Sequence, residues 1–166
     1  MAPVTTGMVV LELTDRLKQV LPALVRRVGL KDGCPEVVLP REWRLTYSPL
    51  DDKSINQMPI VHVHASEVVV ERAGTCFSAS MQITVAGFVR GMNWHHTARL
   101  AGVYGSAIAM GLQACGGGLI EAVNVTGMVT DSLVQGQRTV AEVDVLAELS
   151  IPDFLPGLAG VNAFLM

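Results

Sequence analysis

Between residues 9 and 28, Leu13, Leu17, Val20, Leu21, Leu24, Val25 and Val28 recur at the 3.6-residue spacing of a helix with one apolar side. Arg26 and Arg27 fall in its last turn, where they suit the helix dipole, and Gly29 is a natural stop. Pro22 lies inside the pattern. Having no N–H to donate, it is expected to kink or split the helix. The period then disappears. Residues 31–59 carry Pro35, Pro40, Pro49 and Pro59, with Asp51 and Asp52 between them. They read as an irregular region with short strands at 36–39 and 43–47.

A period of two takes over next. Residues 60–64 and 67–71 read as strands, and residues 75–90 as the clearest strand in the chain. There Phe77, Ala79, Met81, Ile83 and Val85 alternate with Ser78, Ser80, Gln82 and Thr84, giving one apolar and one polar face. Ala73 and Gly74 supply the turn before it. Asn93 is a good N-cap, and residues 94–113 return to the helical period with Leu100, Val103, Tyr104, Ala107, Ile108 and Leu112. Ala101, Gly105, Ala109 and Gly111 are small enough to let this helix lie close on a sheet. Gly116–Gly117–Gly118 ends it. Strands at 119–129 and 138–150 follow, joined through Gln135–Gly136–Gln137. Pro152 breaks the chain, and residues 151–166 form an apolar tail. The pattern predicts an α+β fold in a single domain spanning 1–166: one mostly antiparallel sheet with two helices packed on one face.

Composition sharpens this. The chain has 166 residues, a formal net charge of −3, 50% hydrophobic residues, 5% aromatic and 16% charged. The core must be aliphatic. The charged share is well below the roughly 25% of an average domain, which points to apolar surface covered by another chain. The apolar run at 103–112 is too short for a bilayer, so no membrane is expected as a partner. Residues 1–7 have no basic segment of a signal peptide. Cys34, Cys76 and Cys115 have no metal or disulfide spacing and read as small hydrophobes in a reducing cytoplasm. Residues 1–100 hold eleven basic and nine acidic side chains, whereas residues 101–166 hold Arg138 against six acidic ones. That acidic part cannot grip nucleic acid, because phosphate contacts need Lys and Arg.

Chemistry-bearing residues are few. His62 and His64 share one face of a strand, where two imidazoles could hold a metal. With Glu67 and Gly74 they nearly fit the first cupin motif, and a small metal-dependent enzyme is the alternative they raise. Asn56 stands where that motif has glycine, and no second motif follows. The plain reading puts both on a half-exposed strand face. His95 and His96 point about 100° apart on a helix and chelate poorly. The three glycines precede a strand, whereas a phosphate cradle needs a helix N-terminus. Asp51–Asp52 is an acidic pair in a loop, most simply solvated. No catalytic residue, cofactor or metal is assigned. Glu142, Asp144 and Glu148 share one face of the last strand, with no basic neighbour in sequence. They read either as a solvated face or as a surface that repels an anion or meets a basic partner.

The element order resembles the tail terminator (tail-completion) proteins of long-tailed bacteriophages. The likeness runs from Val9 to Ser150. It includes the strand opening Pro59–Ile60–Val61–His62–Val63 and the closing strand from Val140 to Leu149. It implies a non-enzymatic virion protein, made in the host cytoplasm and placed at the head-proximal end of the tail. Its partners would be itself, as a hexameric ring, the tail tube protein, and a head-closure or connector protein. DNA would pass through the ring without specific binding. Neighbouring connector and tube subunits share parts of the pattern. On this reading Glu142, Asp144 and Glu148 are candidates for lining the channel or an interface. Phe154, Leu155, Phe164 and Leu165 in the tail are candidate subunit contacts.

Overall fold

The computed structural model describes residues 4–34, 36–45, 58–135 and 138–154. Helix α1 (Thr6–Lys31) is followed by a short strand β1 (Glu42–Arg44) and the long hairpin β2 (Ile60–Ala73) and β3 (Cys76–Val89). Helix α2 (Trp94–Gln113) leads to a second long hairpin, β4 (Ala122–Gln135) and β5 (Arg138–Ile151). The sheet order is β1-β2-β3-β5-β4. The β1–β2 pair is parallel and the other pairs are antiparallel.

Local signals explain most boundaries. Thr5 caps α1 by accepting from the Met8 N–H, and Asn93 caps α2 by accepting from that of His96. α1 continues through Pro22 as one helix. The N–H that Pro22 lacks would have met the carbonyl of Lys18, on the exposed side where water can serve it. The break expected at Ala65–Ser66 is a β-bulge within a single strand. Ser66 is the extra residue, and its hydroxyl lies 3.3 Å from the Gln82 carbonyl. Residues 36–39 form no regular strand. Only Glu42–Arg44 of the expected 43–47 segment is seen as one, since 46–57 lie outside the described residues. The strand expected from 119 starts at Ala122, because Gly117 and Gly118, both at positive φ, fold 117–120 into a tight turn.

Both helices lie on the same face of the sheet. Leu13, Leu17, Leu21 and Val25 of α1 and Leu100, Tyr104, Ile108 and Leu112 of α2 pack on Val61 and Val63 of β2, Ala79, Met81, Ile83, Val85 and Val89 of β3, and Val143, Val145 and Leu149 of β5. α2 can lie close because of its small residues and one in the sheet. A methyl added at Gly105 would meet Met128 Sδ at 2.7 Å. One at Gly87 would meet Ile108 and Val143 at 3.3 Å. On the opposite face Met58, Ile60, Ala86, Phe88 and Val140 form a second, smaller buried cluster.

Candidate functional site

The ladder registers decide what shares the helix-free face. One row runs Arg44–His62–Ala86–Asp144–Val129, and the next runs Glu42–Ile60–Phe88–Glu142–Asp131. His64 stands on this face beside Thr84, and Glu148 lies in the row of Glu67, Gln82 and Asn124. The candidate histidines and the candidate acidic stripe therefore occupy one surface, although they lie some eighty residues apart in sequence.

His62 is fully buried, well beyond the half-exposed position its strand pattern suggested. The cause is Phe88, whose ring centroid is 4.8 Å from its own. Burial, then the positive Arg44 and the neighbouring His64, lower its pKa from 6.5 to about 4, so the ring is neutral at pH 7. Arg44 Nε donates to Glu42 at 2.5 Å on the same strand. Among the described residues no three His, Cys, Asp or Glu side chains are grouped so as to hold a metal ion.

The acidic stripe is not a uniform row. Glu148 is exposed and accepts from the Ser80 hydroxyl at 2.8 Å. Glu142 and Asp144 are half-buried beside the smaller apolar cluster. Burial, then Asp144 and Asp131, push Glu142 up to about 7. The neighbouring Asp144 has its own pKa raised, mainly by burial. Asp131 was missed by the sequence reading, but a signal for it existed. Gln135 pairs with Arg138, and counting back along both strands puts Asp131 opposite Glu142.

The whole helix-free face carries this sign. β5 contributes Glu142, Asp144 and Glu148, β4 Asp131, β2 Glu67 and Glu71, and β1 the paired Glu42 and Arg44. Arg44 is the one strand base on this face among the described side chains. The exposed bases Lys18, Arg26, Arg27, Lys31 and Arg99 belong instead to the helices of the opposite layer.

Two further features concern contact with other chains. The last β3–β5 pairs are Ala79–Ile151 and Val89–Ala141. Residues 71–78 of one hairpin, and 133–135 with 138–140 of the other, therefore extend past the shared ladder, at opposite ends of the sheet. β4 is an edge strand of fourteen residues with Asp131 as its one charge and no proline. Of the tail candidates, Phe154 is buried in the main core and its backbone bridges to Val4. Leu155, Phe164 and Leu165 lie outside the described residues. No described helix is long and apolar enough to cross a membrane.

No protein-family model and no curated protein matches the chain. Among solved structures it is similar to a chain of "Virion of native gene transfer agent (GTA) particle". The TM-score is 0.45 with 8% sequence identity, covering 82% of this chain and 97% of that one.

Proposed function

We propose that this chain is a structural subunit of a phage-type virion that closes into a ring, with six copies, on the head-proximal end of the tail tube. There it stops tube polymerisation and joins the tail to the head connector. The observation that carries the reading is the segregation of charge between the two layers. The sheet presents carboxylates on its helix-free face, and most of the exposed bases, Lys18, Arg26, Arg27, Lys31 and Arg99, sit on the helices. Turned inward around a hole, the sheet face repels a DNA backbone and lets it slide without binding.

The means of association are also present. Two hairpins overreach the sheet at opposite ends, and a long, nearly uncharged edge strand offers backbone groups to a neighbour. Contacts at two different surfaces are heterologous, and heterologous contacts close into rings when the rotation per subunit allows. Native mass spectrometry and electron microscopy of the purified protein test this. The expected result is one closed hexamer with a central hole. A monomer at assembly concentrations, or a dimer with twofold symmetry, overturns it.

A further inference from the structure

Where β3 runs out and α2 begins, the described residues wall a cavity of about 330 Å3 that both Arg41 and Arg90 line. Arg41 is exposed just before β1, and Arg90 is half-buried just after β3. Among the described residues the ion pairs are Arg16–Glu12 and Arg44–Glu42, so neither of these two guanidiniums has a carboxylate against it there.

The first turn of α2 holds the walls in place. The Gly91 N–H donates to Thr97 Oγ1 at 2.9 Å, and the Met92 N–H donates to His96 Nδ1 at 3.0 Å. The other ring nitrogen of His96, Nε2, donates to the Glu36 carbonyl at 3.1 Å. His96 therefore ties the two sides of the cavity together and keeps no ring nitrogen for a ligand. Gly91 permits this closeness, since a methyl there would meet the His96 ring and the Thr97 nitrogen at 2.7 Å.

The donors left for a ligand are the two guanidiniums. Val38, a buried Met58 and a Met92 that is 75% exposed supply apolar wall beside them. A guanidinium grips a carboxylate or a phosphate through paired N–H groups. Two features favour the carboxylate. Phosphate sites at a helix start draw on backbone N–H groups, and here those of Gly91, Met92, His96 and Thr97 are already taken. Apolar wall also suits the methylene groups that carry the carboxylate of Glu or Asp, which a phosphate lacks.

We propose that this cavity docks an acidic segment of a different protein, with one of its carboxylates between Arg41 and Arg90 and the adjoining methylenes against Val38, Met58 and Met92. The choice of a different protein rests on the ring reading, in which copies of this chain meet along β4 and not at this cavity.

Methyl NMR of the whole protein tests it, with a capped tri-glutamate peptide, its tri-glutamine counterpart and inorganic phosphate as probes. Tri-glutamate is expected to shift the Met58 and Met92 methyl signals and to leave that of Met8, at the far end of α1, in place. Arg41→Gln and Arg90→Gln are each expected to weaken its binding at least about tenfold, and salt should weaken it further. Arg41 is exposed, so its replacement leaves the packing intact even if Arg90→Gln does not fold. No shift with tri-glutamate, an equal shift with tri-glutamine, or tighter binding of phosphate overturns the proposal. Native mass spectrometry of Arg41→Gln is expected to give the mass of the parent assembly. A smaller assembly would place a neighbouring copy's carboxylate in the cavity and overturn the assignment to a different protein. Peptide binding by a parent protein that is monomeric would uphold the carboxylate site and overturn only the ring.

Discussion

The hydroxyl of Tyr104, in the middle of α2, donates to the carbonyl of Val38 at 2.5 Å. This bond fixes the irregular stretch before β1 against the helix. The Tyr104 side chain is fully buried, and burial raises the phenol pKa, so it remains a donor throughout the working pH range. Tyr104→Phe keeps the ring and leaves the Val38 carbonyl without this donor. A loss of about 1–2 kcal/mol is expected in urea unfolding, with the m-value unchanged.

Glu142 gives a pH signature. Its folded pKa of about 7 lies above the ordinary 4.5. The folded state therefore holds its proton more tightly than the unfolded chain does. The fold is favoured below the ordinary value, and that advantage is lost as pH rises toward 7. Glu142→Gln should leave stability at pH 4 unchanged. At pH 8 it should raise stability by about 1 kcal/mol, allowing for solvent screening of a half-buried group. Unfolding curves at the two pH values measure the difference.

His62 has the opposite sign. Its folded pKa of about 4 lies below 6.5, so between those values the unfolded chain takes a proton that the folded chain refuses. Stability should fall as pH drops through this window. His62→Ala should remove that slope and, by opening a cavity beside Phe88, cost about 2–4 kcal/mol at pH 7. A variant as stable as the parent at pH 7 would contradict the burial of this ring.

Glu67 and Glu148 are exposed in one row of the helix-free face, away from the half-buried Glu142–Asp144 pair. Changing both to Lys tests the lumen assignment without disturbing packing. Intact rings and tails with slowed DNA ejection, relieved by salt, are expected. Normal ejection with failed ring formation would place this row at a subunit contact.

The α2 boundaries were legible because Asn93 and the glycine run mark both ends of a strong 3.6-residue period. The apolar face of β3 was equally plain, since Ala79, Met81, Ile83 and Val85 alternate without exception. These signals depend only on neighbours along the chain, so the sequence alone determined the α+β class and the buried side of α1, α2 and β3. The bulge at Ser66 was less legible, because one extra residue mimics the end of a strand.

What shares the helix-free face was decided by tertiary structure. Strand pairing in the order β1-β2-β3-β5-β4 places Phe88 against His62 and Asp131 beside Glu142, contacts set by register between distant segments. The same pairing divides one acidic stripe into an exposed Glu148 and a half-buried Glu142 and Asp144. Alternation along a strand tells which face a side chain is on. How far that face is covered depends on residues brought there from elsewhere in the chain, and burial is what sets the charge of His62 and Glu142 at neutral pH.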